Sequence, residues 1–389
     1  MIVFTFKKNN KIIFGFGKKE KLSAQEPIAT KGLEFSGAKI SSLNLSDPYC
    51  PEIRGGNGFV FGERNLYPQQ LLKAYSQSVM DANCINYKVW MTSTSFSYDK
   101  SAMTFDKQIT AEQFNFFLNK AAEGLVFDYF LHNRYYLEIT WNKDFSKIIK
   151  MEHIPAETIR IYNVDNKMQP TEYIYCYDWR YLGRFGTKVY PKFSSENKKD
   201  NVQLFEYQSY TPGKKIYTLP SYRSAMDWIA LEGQLGIYHN SNMVNSLNPS
   251  FLIRFHQLPD TDEKKEQVRQ NLVDTFAGAD KAGRLMAIFS PDKDSSPDIE
   301  QLEPSKLDKG FLGLVDTTQR AICAAHSVNA DLLGLKTAGS LGDSAGQLAE
   351  IKTQFINSII LPTKQKIEAE INYLASFNGI GGFTLNSNI

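Results

Sequence analysis

The chain has 389 residues, 42% hydrophobic and 13% aromatic, enough for one large domain or two to three smaller ones, which excludes large-scale disorder. Its 44 basic and 42 acidic residues nearly cancel, which excludes a strongly basic nucleic-acid binder unless the charge is arranged locally. Cys50, Cys84, Cys176 and Cys323 are too widely spaced for a disulfide framework or a metal knuckle and are expected as reduced cytosolic thiols; no apolar stretch approaches the roughly 20 residues of a membrane span.

The opening "MIVFTFKKNNKIIFGFGKKEK" has apolar runs too interrupted for a signal peptide, and reads as two short strands, Ile2 to Phe6 and Ile12 to Phe16. Lys7, Lys8, Lys11, Lys18, Lys19 and Lys21 read as a solvated hairpin face, with DNA contact as the alternative. Residues 21–66 carry turn signals and should be irregular. In "YPQQLLKAYSQSVMDANCINYKVWMTS", Pro68 suits a first helical turn, and Leu71, Leu72, Tyr75, Val79 and Ile85 recur at helical spacing. "ITAEQFNFFLNKAAEGLVFDYFLHN" is the next expected helix. Thr110 is its candidate cap, and Phe114, Phe117, Leu118, Ala121, Leu125 and Tyr129 form its apolar stripe.

A β-rich stretch follows, with Tyr136, Ile139 and Trp141 in one strand and "KIIKMEHI", "TIRIY", "EYIYCYDWRYLGRF" and "VQLFEYQSY" continuing it. The chain to about residue 220 thus reads as mixed α+β. Pro220 and Ser221 then open a helix of about 26 residues, about 39 Å long, with Tyr222, Ala225, Met226, Ile229, Leu235 and Tyr238 on one stripe and Asn248-Pro249 at its end. "SFLIRFH", a charged helix around Val268, Leu272, Val273 and Phe276, and "GRLMAIFS" form a small strand–helix–strand insert, left by a turn-rich exit. A helix with Leu307, Phe311, Leu314 and Ile322 on one side leads to a loop of small residues. From Ser344 a last long helix runs to about Leu374 and should kink at Pro362. The tail beyond it carries no strong signal.

Few residues suggest chemistry. "GLKTAGSLGDSAG" lacks the lysine spacing and the preceding strand of a phosphate loop, and "RGGNGFVFG" lacks the dinucleotide spacing. Cys323 and His326 stand one helical turn apart, but two ligands make no metal site, and core packing is the better reading. Asp260, Asp262 and Glu263 suit a helix start. There is no nucleophile elbow and no zinc-protease helix, so no catalytic residue, metal ligand or cofactor is assigned.

Four stretches nevertheless resemble one family in their order and spacing. They are "LYPQQLLKAYSQSVMDANCINYKVW"; "FDYFLHNRYYLEITWNKD" with "IIKMEHIPAETIRIY"; "LPSYRSAMDWIALEGQLGIYHNSNMVNSLNPSFLIRF"; and "VNADLLGLKTAGSLGDSAGQLAEIKTQFINSIILPTKQKIEAEIN". Together they span about residues 66 to 374 and resemble the portal proteins of long-tailed bacteriophages. The resemblance implies an α+β portal-like fold, with a mixed wing at 1–220, antiparallel stem helices at 221–248 and 304–327, and a small clip at 249–303. A tunnel loop at 328–345 and a long kinked wing helix with a short tail at 346–389 complete it. A crown after Leu374 is expected to be reduced or absent.

The resemblance further implies a non-enzymatic homo-oligomeric ring, commonly dodecameric, at one capsid vertex of the virion, assembled in the host cytoplasm. Double-stranded DNA would pass through it without sequence specificity during packaging and ejection. Its partners would be the terminase large subunit, the major capsid protein and a head–tail connector or adaptor, with no membrane and no cofactor. Lys336, Thr337, Ser340 and Leu341 would face the DNA, and Gly334, Gly339, Gly342 and Gly346 would let the loop change shape. Two other readings stay open: another virion structural protein, of the capsid or neck, and an enzyme with a dispersed active site.

Overall fold

The structure is a computed structural model, and it describes residues 54–244 apart from 93, 102 and 183, then 251–255, 267, 285–289, 298–301, 307–335 and 345–386. The expected N-terminal hairpin, the charged helix of the insert and residues 336–344 lie outside the described residues. Two compact units are present, the smaller built around Gln234–Gly313 and the larger holding Ser42–Gly233 and Leu314–Ile389.

The larger unit begins with a hairpin, β1 (Arg54–Gly55) and β2 (Gly58–Phe59). Gly58 has φ +98° and its Cα lies against the backbone of Ile161, 2.4 Å from where a Cβ would stand, so only glycine fits there. Two helices follow where one was expected: α1 (Tyr67–Gln77) and α2 (Val79–Thr92). Ser78 between them is extended, at φ −103° and ψ 116°, and its hydroxyl accepts the Asp81 amide at 3.1 Å. That break rotates the apolar stripe: Leu71 and Ile85 are buried as expected, whereas Val79 is exposed.

After β3 (Phe96–Tyr98) comes α3 (Phe105–His132), about 42 Å long. It starts one and a half turns before the expected cap. Thr104 stands at its N-cap, and Thr110 lies inside, its hydroxyl returning to the Asp106 carbonyl at 3.0 Å. Asn133 closes it in the left-handed region, φ 59°, with its amide on the Tyr129 carbonyl. Phe114, Leu118, Ala121 and Leu125 are buried as the spacing requires.

The helix packs on a three-stranded antiparallel sheet with β4 (Arg134–Trp141) between β5 (Ile148–Ile154) and β9 (Val202–Gln208). A second antiparallel sheet holds β6 (Ile159–Val164), β7 (Pro170–Cys176) and β8 (Thr187–Pro191). Glu206 joins the two sheets: its two carboxylate oxygens accept the hydroxyls of Tyr136 and Tyr173 at 2.8 and 2.9 Å. Arg160 is wholly buried and donates to Asn65, Gln69 and the carbonyls of Glu157 and Ile159, so its fork is satisfied by neutral acceptors.

Helix α4 (Met226–Val244) and helix α5 (Leu307–Ala325) are the two places where the described chain passes between the units. In the smaller unit, β10 (Phe251–Phe255) pairs in parallel with β11 (Leu285–Phe289), the pairing that a strand–helix–strand insert requires. A third strand, β12 (Asp298–Gln301), pairs antiparallel to β10 and starts on the last residue of what read as a turn-rich exit.

The last helical run is α6 (Ala345–Phe355), a π turn at Ile356–Ile360 and α7 (Leu361–Ser376). Pro362 falls in the first turn of α7, directly after the π turn. The wider π turn takes up the missing amide and the ring, and this is the irregularity that the proline announces in the sequence. The unremarkable tail supplies β13 (Phe383–Leu385), which pairs with β3 across the chain. No helix among the described residues is long and apolar enough to cross a membrane.

Candidate channel loop and the buried relay at its base

Both flanks of the expected tunnel loop are in place. Past the end of α5, Ser327 takes φ +56°, and the Val328 amide bonds back to the Cys323 carbonyl at 3.0 Å. Asn329 caps a short 3-10 turn at Ala330–Leu333 by accepting the Asp331 amide at 2.9 Å. Gly334 ends that turn at φ +80°, a left-handed cap that suits glycine. The 3-10 turn packs on α6. Lys336, Thr337, Gly339, Ser340, Leu341 and Gly342 lie outside the described residues. Gly346 stands exposed in the first turn of α6, as helix rather than loop.

Beneath these flanks the larger unit buries a chain of ionisable groups. Asp81, Cys84 and Lys88 share one face of α2, at steps of three and four, and meet Cys323 and His326 beyond it. Lys88 Nζ lies 2.9 Å from His326 Nδ1, and His326 Nε2 lies 2.8 Å from Asp81 Oδ1. An ammonium only donates, so Nδ1 accepts and the neutral ring carries its proton on Nε2, which donates to the carboxylate. The imidazole is therefore a bridge between a cation and an anion. Burial pushes Asp81 up to about 7 against the pull of Lys88, and burial lowers Lys88 to about 8. Burial, with Lys88 adding to it, keeps His326 well below its ordinary range.

Three further contacts hold the relay. Tyr222, just before α4, stacks on His326 with ring centres 4.2 Å apart, and its hydroxyl donates to the Leu131 carbonyl at 3.0 Å. Lys88 also lies over the Phe130 ring at 5.1 Å. Glu232 of α4 accepts the Ser78 hydroxyl and the Met80 amide, closing the N-terminus of α2. Cys84 and Cys323 meet sulfur to sulfur at 4.0 Å, both buried and both free. Cys323 and His326 do pack into the core, as their sequence setting favours. Asp81 and Lys88 were not legible as their partners; a lysine and an aspartate inside a helix of buried residues were the available signal.

The start of α4 and the end of α5 thus both rest on α2. Residues 119–386, spanning α3, the two sheets, α4, α5 and the last helices, match the phage portal protein family. The chain belongs to that family. Membership gives this portal protein a role in the phage capsid, and the family is a structural one.

Solved structures agree with the fold. A chain from the neck of an empty gene transfer agent particle computed with C6 symmetry is 15% identical, with TM-score 0.56, covering 82% of this chain and 84% of that one. The neck of a native particle computed with C12 symmetry gives 16% identity, TM-score 0.56, and coverage of 86% and 87%. The virion of the native gene transfer agent particle gives 15%, 0.56, 82% and 83%. At these identities the likeness is one of fold. A search of curated proteins by sequence finds no match.

Proposed function

We propose that this portal protein forms a closed ring of twelve copies at one capsid vertex and conducts double-stranded DNA through its axis during packaging and ejection. The observation that carries the reading is the family match over residues 119–386, supported by a fold shared with chains from necks solved with C6 and C12 symmetry. Residues 1–220 and 346–389 make the wing, 221–248 and 304–327 the antiparallel stem, 249–303 the clip, and 328–345 the tunnel loop. The clip faces the terminase large subunit and later the connector or adaptor; the wing meets the major capsid protein. The ring performs no catalysis of its own.

Two properties of the chain suit this role. Its formal net charge is +2, and a conduit that is nearly neutral overall lets DNA slide, where a strongly basic lumen would hold it. Phe105, Ile109 and Phe116 form an exposed stripe on α3, opposite the face that packs on the sheet. A helix apolar on two faces needs a second cover, and a neighbouring copy in the ring supplies it.

In the loop, Lys336, Thr337, Ser340 and Leu341 touch the DNA backbone without reading bases, and Gly334, Gly339 and Gly342 give the loop freedom to move as the duplex passes. The test is end-on imaging of the purified chain, followed by packaging with a loop-shortened variant. Rings with a DNA-wide hole, and variant rings that assemble but package poorly, are the expected results. Closed assemblies without an axial hole would instead make the chain another capsid or neck component.

A further inference from the structure

Helix α3 ends on His132, and Asp128 lies four residues earlier on the same face. The turn Ala156–Thr158 between β5 and β6 brings Glu157 to them. One ligand atom from each of these three residues lies within 4.8 Å of the other two. His132 is 3% exposed, and its Nε2 has no hydrogen-bond partner. Glu157 Oε2 stands 3.9 Å from that nitrogen, too far for a hydrogen bond. A buried imidazole nitrogen left in this way is costly and requires an explanation. Bonds of about 2.0–2.1 Å at a tetrahedral ion set two ligand atoms about 3.4 Å apart, so the 3.9 Å gap closes by about half an ångström when an ion enters.

The carboxylate beside Nε2 is held by partners of its own. Asp128 is already oriented: its Oδ2 accepts the Ala156 amide at 2.9 Å and faces His153 Nε2 at 2.7 Å, which leaves Oδ1 to the site. His153 reaches it because Gly124, one turn earlier on α3, has no side chain; a Cβ there would stand 2.3 Å from the His153 ring. Outer hydrogen bonds of this kind hold a carboxylate ligand in place. The two carboxylates carry the charge that balances a divalent ion.

We infer that Asp128, His132 and Glu157 bind one divalent transition-metal ion, with Zn2+ the best match. One imidazole and two carboxylates suit zinc, and water completes its tetrahedron. Mg2+ and Ca2+ take oxygen ligands and would leave the imidazole unused. The ion clamps the end of α3 to the turn that leads into β6. It has no part in DNA passage, so the inference stands apart from the reading of the chain as a portal subunit.

The test uses the full chain, stripped with a chelator, desalted and titrated with ZnCl2 against a chromogenic competitor, with MgCl2 in a parallel titration. One Zn2+ per chain and a higher melting temperature are expected, with no response to Mg2+. His132→Gln and Glu157→Gln should each weaken Zn2+ binding at least ~10-fold and remove the thermal gain. A variant lacking His239 and His256 should bind as the parent does. Should His132→Gln fail to fold, Glu157→Gln, at a partly exposed position, gives the answer. Absence of binding by the stripped chain, or undiminished binding by the Gln variants, overturns the inference.

Discussion

Asp81 and His326 are 245 residues apart in the chain, yet Asp81 Oδ1 and His326 Nε2 lie 2.8 Å from each other with both side chains almost wholly buried. Lys88 completes the row on the far side of the ring at 2.9 Å. An anion and a cation buried together, with a neutral imidazole between them, tie α2 to the segment that follows α5.

Removing one end should cost more than removing both. Above pH 7, where Asp81 is ionised, Asp81→Ala leaves Lys88 as a buried cation without its anion, and a loss of about 3–5 kcal/mol in unfolding free energy is expected. Asp81→Ala combined with Lys88→Met should recover a large part of it, because no uncompensated charge remains. Urea denaturation of the parent, single and double variants measures this. A double variant no more stable than the single one would show that the two charges are not coupled through His326.

The relay also has a pH signature. The Asp81 carboxyl sits at about 7 in the fold and at an ordinary 3.8 when unfolded. Between those values the folded chain holds a proton that the unfolded chain releases, so this group favours the fold increasingly as pH falls and loses that contribution as pH rises through about 7. Against Asp81→Asn, which cannot titrate, the parent should therefore gain up to about 1.4 kcal/mol per pH unit from pH 7 toward pH 4. Paired denaturation curves at both ends of that window check it; a stability gap that does not change with pH would contradict it.

Gly124→Ala tests the close approach of α3 to β5. In an open helix this substitution gains stability, by roughly 0.5–1 kcal/mol. Here the new Cβ would stand 2.3 Å from the His153 ring, so His153 must leave Asp128 or the strand must shift. A loss of about 1–3 kcal/mol is expected. A melting temperature at or above that of the parent would show that the ring moves aside freely.

Phe116→Glu, at a position 67% exposed on α3, should leave the subunit folded and break its assembly. An unchanged circular-dichroism spectrum, with the ring replaced by monomer in light scattering, is the expected pair of results. Rings that survive the change would place the neighbouring subunit elsewhere on the surface.

The buried pair Cys84 and Cys323 should ignore thiol reagents in the native state. The Cys84 thiol is pushed up by its sulfur neighbour and by burial, and neither side chain is accessible. Both should react with Ellman's reagent only on unfolding; rapid native labelling at either position would show that the packing there opens.

The helices around Leu71, Leu118, Ile229 and Ile367 were legible in the sequence because a 3.6-residue rhythm of apolar side chains reports a buried face directly. The strands β10 and β11 were legible as short apolar runs, and the structure adds that they pair in parallel. The break at Ser78 was not legible, because a serine within a helical rhythm is ordinary until Glu232 arrives from α4 to accept its hydroxyl. Nor was β13, whose strand character comes from the partner β3, nearly three hundred residues upstream.

By itself the sequence determined the long helices and the main strands of the two sheets, and the order that marks the portal family. It did so because periodicity and order are local and additive along a chain. Only the tertiary structure decided which polar side chains meet: Asp81 with His326, Glu206 with Tyr136 and Tyr173, and Asp128 with His132 and Glu157. A buried charge is tolerated only where the fold delivers a partner to it, and delivery across the chain leaves no periodic trace in the residues on either side.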